Sequence, residues 1–442
     1  MYANDKIWEF AETRFQEYRS SKLLCDILEK EGFFITKAVA GMDTAFVATF
    51  GNGKPKIGIL GEYDALYNLS QKANIDEKQA VVENGNGHGC GHNALGVGAL
   101  AAVVAVKDYM VKNNLKGTIC YFGCPGEEGG SGKTYMVREK VFSDIDAAFT
   151  WHPSDVTGVV EGSTLANIQA YVRFYGKSAH AAACPHLGRS ALDAVELMNV
   201  GINYLREHVI EDARMHYALT NGGGLSPNVV QAFAEELLLV RAPKMSQAKE
   251  IYERVKSIAK GAALMTGTKV EIIFDKAASN VIVNDTLNKV MYEKLLELEP
   301  IKLIKEEEEF AKKIKNTLGD EEKASGKFIV DSVKEYKFTE KAAPGSTDVG
   351  DVSFVVPTAQ INTSCWASGT AGHSWQVVSQ GKCSYLHKAM LLAGKAMALS
   401  ALELFENDEI ITKAKAELKE RLNGEEYVCP IPADVKPHLK VE

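Results

Sequence analysis

Apolar residues run along the chain in two rhythms. In the first third, short continuous runs are cut off by glycine, proline or charge. "KIGILGEYDAL" predicts a buried strand running into a loop, "GTICYFGCPGEEGG" a second strand ending in glycines, and "DAAFTWHP" a third, stopped by proline. Between the first two, a stretch from about Ala94 to Val111 is apolar on most faces, which predicts a helix packed on a sheet. Strand, helix, strand in this order predicts parallel pairing with right-handed crossovers.

The rhythm then changes. "TLANIQAYVRFYG" alternates like a half-buried strand, and Leu187, Ala191, Val195, Met198, Ile202, Leu205 and Val209 recur at helical spacing. Two strands follow, "RMHYALT" and "NVVQAFAEELLLVRA", separated by "NGGGLSP". A helix carrying Ile251, Val255, Ile258 and Ala262 comes next, and "KVEIIFD" closes the unit. That order is βαββαβ, the ferredoxin-like pattern. The expected architecture is α/β: a catalytic domain with a mixed, largely parallel sheet flanked by helices, formed by residues 1–163 and 278–442. Residues 164–277 are expected as an inserted ferredoxin-like domain, serving as lid and dimerisation surface. The charged stretch "KEEEEFAKKIKNTLGDEEKASGK" predicts a solvated helix and loop, and no internal repeat is visible.

Composition narrows the function classes. A chain of 442 residues exceeds one ordinary core. Apolar content of 46% and charged content of 24% are those of a folded soluble protein. A net charge of −8 argues against nucleic-acid and anionic-membrane partners, which reward a basic face. A small acidic substrate needs only a local basic pocket and is not excluded. "MYANDKIWEF" has no basic start followed by an apolar stretch, and the longest apolar run, "ALGVGALAAVVAV", is too short to cross a bilayer. Eight scattered cysteines without an export signal predict reduced thiols and a cytoplasmic location. Cys120 and Cys124 lack a matching second pair, which argues against a structural zinc ribbon.

The segment "NGHGCGHN" sets His88, Cys90 and His92 into five positions. Alone it reads equally as a tight turn with solvated histidines or as half of a metal site. In open α/β sheets ligands collect beyond the carboxyl ends of the strands. There the chain places Glu62 and Asp64, then the Cys/His segment, then Glu127 and Glu128, then His152, with His373 in "SGTAGHSWQ" near the end. Each has a plain alternative: Asp64 as a helix cap, Glu128 as an exposed acid, His152 as a hydrogen-bonded core histidine. Ligand-type residues at five places along one sheet edge favour the metal. "GHSWQ" and "GKSAH" do not form the Gly-x-Ser-x-Gly elbow, so a serine hydrolase is excluded.

"HGCGHN", "PGEEGGSGK", "TWHP", "KSAHAA", "HLGRSALDA" and "STDVGDVS" together resemble the aminobenzoyl-glutamate utilisation protein B family. That family lies within the dinuclear metallopeptidases and amidohydrolases that include glutamate carboxypeptidases and indoleacetyl-amino-acid hydrolases. The likeness runs nearly end to end, and residues 305–345 are its least distinctive part. It implies that Cys90, His92, Glu128, His152 and His373 ligate two divalent ions per subunit. Thiolate softness alone favours zinc, but the cysteine-containing relatives are mostly associated with manganese, which is the expectation here, with zinc the alternative. The broader group has His-x-Asp where this chain has Glu62-Tyr63-Asp64, so Glu62 is not carried over as a ligand. Asp64 is expected to orient a ligand histidine, and His88 to give similar support or simply be solvated.

By the same resemblance Glu127 is the general base and His180 polarises the scissile carbonyl, often in the partner subunit's site. Asn228 and Arg241, expected on one strand, are the substrate contacts, since an arginine fork suits a carboxylate. A salt bridge at the strand end is an equal alternative for Arg241, and Arg189 and Lys177 are weaker candidates for the same anion. The reading is a metal-dependent amidohydrolase of N-acyl amino acids, best represented by p-aminobenzoyl-glutamate. The partners expected are a second copy through the lid and a sister subunit. The alternatives are a dipeptidase acting on small or β-alanyl dipeptides, and a catalytically silent subunit that dimerises through the lid.

Overall fold

A computed structural model describes residues 1–320 and 327–438. Residues 321–326, part of the loop expected in the charged stretch, lie outside the described residues. The chain divides into two compact units. The first comprises residues 1–162, the described residues of 282–340, and 351–428. The second comprises residues 163–281, 341–350 and the described residues from Cys429 onward.

The first unit is built on a seven-stranded mixed sheet. Its centre is four mutually parallel strands, in the spatial order Gly117–Cys124, Lys56–Glu62, Ala147–Ser154 and Thr358–Ser364. Antiparallel strands close both sides, Phe46–Asn52 against Gly117–Cys124 and Gly158–Val159 against Thr358–Ser364. The central strands are apolar on both faces because helices cover both, as parallel sheets require. Pro153 does not stop its strand: it stays in register with Thr363, and the strand runs on to Ser154.

The helix between the first two parallel strands runs from His92 to Asn113 and packs against the helix Ser384–Glu406. Polar residues at both ends extend it beyond the apolar run that marks it in the sequence, so its 22 residues are long and apolar enough to cross a membrane. Ala94, Leu95, Ala99, Ala102, Val103 and Val106 are all buried in the hydrophobic core of this unit, which accounts for that composition.

The second unit is a four-stranded antiparallel sheet. Its strands lie in the order Lys269–Ala278, Ala166–Tyr175, Phe233–Ala242, Arg214–Asn221, with helices Ala191–Leu205 and Met245–Thr266 packed on it. Burial alternates strictly along Phe233–Ala242, so Ala234, Glu236, Leu238, Val240 and Ala242 face the interior. The strand expected from Asn228 begins only at Phe233, so Asn228 and Arg241 do not share it. Pro227 opens a turn closed by the Val229 N–H on the Ser226 carbonyl, and this leaves Asn228 exposed. Chain order would assign residues 341–350 and the C-terminal segment to the other unit. They belong to this one because Ala342–Ala343 pairs with Ser163–Thr164 and His438 Nε2 lies 3.2 Å from Asp275.

Candidate metal centre

Three connections at the carboxyl ends of the parallel strands, and a fourth glycine-rich loop, bring the acidic and imidazole groups together. Asp64 lies just beyond the first strand, Glu127 and Glu128 on the short helical turn after the second, His152 within the third. Cys90 and His92 flank Gly91, whose φ of +76° opens the 22-residue helix; a side chain there would meet Pro153. The turn before Glu127 depends likewise on Gly126, at φ +67°, with Phe15 packed where a Cβ would stand. His373 has φ +59°, a conformation costly for a residue with a Cβ, and its N–H donates to the Gly89 carbonyl.

Three donor triads result among the described residues, and two of them share the Cys90 sulfur. Cys90, His92 and His152 form the first, Cys90, Glu128 and His373 the second, each with its donor atoms within 4.8 Å of one another. The Cys90 Sγ lies 3.3 Å from His152 Nε2, and His373 Nε2 lies 3.4 Å from Glu128 Oε1. The fully buried His92 Nε2 sits 3.2 Å from Glu62 and 4.0 Å from Glu128 yet makes no hydrogen bond. A buried nitrogen without a hydrogen-bond partner, facing thiol and carboxylate, is the arrangement a divalent cation completes. The donor set of one sulfur, three imidazoles and one carboxylate suits zinc or manganese.

Asp64 fastens two of these groups at once. Its Oδ1 lies 2.8 Å from His92 Nδ1, and its Oδ2 accepts the Glu128 N–H at 2.9 Å. Burial, and then the charge of Glu128, push the Cys90 thiol well above its ordinary value. Burial, then the charge of His92, bring His152 down to about 4, so its ring is neutral and able to ligate. Burial also opposes ionisation of Glu128, but the hydrogen bond from His373 and the charge of His92 hold it down to about 2.

His88 is neither solvated nor in either triad: it is buried, its Nε2 bonded to the Ile7 carbonyl at 3.0 Å, and burial lowers it to about 4. Three further residues carry no mark in the sequence. Glu17, fully buried, accepts from the N–H of Gly126 and the hydroxyl of Thr44, and burial together with Asp64 pushes it up to about 8. Asn93 donates to Asn4 and to the Gly381 carbonyl, tying the start of the site's helix to the N-terminal helix. Lys133, fully buried, pairs with Glu62 at 2.5 Å. Each of the three acts through a contact distant along the chain, which no local pattern announces.

In the second unit, His180 is exposed and its Nδ1 accepts the N–H groups of Ala182 and Ala183. Arg241 donates to Ser346 at 2.9 Å, while Arg189 donates to its neighbouring carbonyls and Lys177 bridges to Arg189 through the backbone.

The sequence model of peptidase family M20/M25/M40 matches residues 58–430. The chain is 49% identical to one of the subunits of p-aminobenzoyl-glutamate hydrolase from Escherichia coli (strain K12), over 98% of this chain and 94% of that one. It is 26% identical to the Xaa-Arg dipeptidase of Homo sapiens, over 96% and 89% respectively. A dinuclear metal-binding peptidase of the M20 family from Bacillus subtilis superposes with a TM-score of 0.58 at 19% identity, covering 92% of this chain and 97% of that one, which shows a common fold.

Proposed function

The chain belongs to peptidase family M20/M25/M40, and from that premise we propose that it is a metal-dependent amidohydrolase cleaving the amide bond of N-acyl amino acids. p-Aminobenzoyl-glutamate, cut to p-aminobenzoate and glutamate, is the substrate its 49% identical relative supports. The observation that carries the reading is the pair of donor triads meeting at Cys90, with Glu127 beside them.

Cys90, His92 and His152 would hold one ion, and Cys90, Glu128 and His373 the other, with manganese preferred over zinc. When bound, the two ions supply Lewis acidity to the scissile carbonyl and the attacking water. Glu127 takes the proton from that water on its carboxylate and returns it to the departing amine nitrogen. Asp64 holds the His92 ring by Nδ1 and the Glu128 turn by its amide, so one carboxylate sets both ligands. At His180, two backbone donors occupy Nδ1, which leaves Nε2 as the hydrogen-bearing nitrogen; that nitrogen donates to the developing oxyanion. Arg241 and Asn228 bind the substrate's carboxylate.

The E. coli relative is named as one component of its hydrolase, and a sister subunit is proposed here too, beside a homodimer through the second unit. The human relative favours a second reading, a dipeptidase of the same architecture. The deciding experiment uses protein stripped by chelator and reloaded with Mn2+ or Zn2+, assayed on a panel of acyl-glutamates and dipeptides. Metal-dependent release of glutamate from the acyl-glutamates supports the first reading, and preference for dipeptides the second. No amide cleavage by the reloaded enzyme would leave a catalytically silent subunit.

A further inference from the structure

Lys133 sits in the short helix Gly132–Arg138 with no exposed surface, its ammonium 2.5 Å from Glu62 Oε1. Glu62 is buried as well. Removing both charges from water is costly, and apolar residues of similar size commonly stabilise a core as well or better. The pair therefore calls for a reason other than stability.

Its surroundings supply one. The second carboxylate oxygen of Glu62 lies 3.2 Å from His92 Nε2, the buried nitrogen that makes no hydrogen bond. Glu62, His92 and Glu127 together place one donor atom each within 4.8 Å of the others. That is a third triad with metal-binding composition, overlapping the first triad at His92. An ion held there would draw on the carboxylate of Glu127 and on the nitrogen of His92. The first is needed to carry a proton and the second to serve the two-ion centre.

We propose that Lys133 is the built-in cation of this third triad. Its ammonium occupies the charge of Glu62, keeps a divalent ion from shifting onto this triad at the expense of the first, and so leaves Glu127 a base and not a ligand. A lysine suits this task because its ammonium is a compact point charge tethered to the chain, which solvent ions cannot replace by exchange. The inference rests on the two-ion reading of the preceding subsection and adds a residue that determines which donors the ions take.

The test measures Mn2+ binding as its concentration is varied. Full-length protein, stripped and then dialysed to equilibrium against Mn2+, is analysed for bound metal per chain, in wild type, Lys133→Met, Lys133→Gln and the double variant Glu62→Gln/Lys133→Met. Lys133→Gln keeps a hydrogen-bond donor for Glu62 and guards against misfolding in the methionine variant, while the double variant removes both charges. The expected result is about two Mn2+ per chain throughout, because one imidazole nitrogen serves one ion, with Mn2+ bound about 10-fold tighter in each single variant and wild-type affinity restored in the double variant. Single variants that fold and hold the wild-type number with unchanged affinity would overturn the role of Lys133 while leaving the two-ion centre standing. Wild type that binds no Mn2+ or Zn2+ would overturn the two-ion reading itself, and this inference with it.

Discussion

Asp64 and His92 face each other across 2.8 Å, Oδ1 to Nδ1, with both side chains withdrawn from solvent. The carboxylate fixes the ring so that Nε2 points toward Cys90, Glu62 and Glu128, and it favours the tautomer with hydrogen on Nδ1. Asp64→Asn keeps the shape but removes the charge that sustains this tautomer. Mn2+ affinity should fall by about 10- to 100-fold, the usual effect of losing the partner of a ligand histidine. Calorimetric titration of the stripped protein checks it, and an unchanged Kd would sever Asp64 from the metal.

Cys90 is the atom both triads share, so its loss should be felt twice. Cys90→Ser replaces a thiolate by a weakly acidic hydroxyl, and bound metal should drop below one ion per chain with activity lost. Cys90→Asp restores a charged donor but a hard one, which should recover Mn2+ binding better than Zn2+ binding. Full metal content in the serine variant would mean that the two triads are separate sites or none.

Glu127 and Glu128 are neighbours with different proposed tasks. Glu127→Gln retains size and hydrogen bonding but cannot accept a proton, so metal content should be unchanged while kcat falls by roughly 10²-fold or more. If metal leaves with it, Glu127 is a ligand and the roles of the two residues must be exchanged.

Much of this was legible in the chain because the relevant signals are local. Apolar runs ending in glycine mark the parallel strands, the 3–4 spacing from Ala191 to Leu205 marks the helix of the second unit, and His152 near a strand end and His373 in a loop carry ligand chemistry in their identity. The misreadings share another cause. The strand expected from Asn228 fails because Pro227 and the Ser226–Val229 turn take hydrogen bonds a strand would need. Residues 341–350 belong with the second unit because of a two-residue parallel pairing to Ser163–Thr164, a long-range contact with no pattern in either segment. Glu17, Asn93 and Lys133 were invisible for the same reason: a buried polar residue looks like a surface one until its partner is known.

The second unit carries a pH-dependent stability of its own. Glu236 points into its interior with no exposed surface, one oxygen accepting from Asn199 at 2.8 Å and the other without a partner. Burial pushes it up to about 7 from an ordinary 4.5. The folded state therefore holds this proton more tightly than the unfolded chain. Stability is highest below pH 4.5, falls as pH rises to 7, and stays at the lower level above it, a difference of about 3 kcal/mol from this group. Glu236→Gln should abolish that slope and raise the melting temperature at pH 8 but not at pH 4.5. Parallel melting curves for both proteins across this range would sink the idea.

The carboxylate claim is tested at Arg241. Glutamate released from an acyl-glutamate carries an α-carboxylate that the catalytic metals do not need, so its recognition falls to a cation elsewhere, and a guanidinium binds it through two parallel hydrogen bonds. Arg241 is half-buried on the strand Phe233–Ala242, and its donation to Ser346 gives it a second occupation, holding residues 341–350 in place. The two roles predict different kinetics. If it binds substrate, Arg241→Ala raises KM for an acyl-glutamate by about tenfold or more and leaves kcat, and the α-amide of the same compound, nearly unchanged, because the lost binding is uniform. Ser346→Ala then has little effect on either compound. If Arg241 only braces the segment, both compounds suffer equally and Ser346→Ala reproduces the defect. His180→Ala provides the contrast, since loss of an oxyanion donor should lower kcat by about 10²-fold on acid and amide alike. A KM effect confined to the acid in Arg241→Ala, beside a kcat effect blind to charge in His180→Ala, is the pattern the proposed division of labour requires.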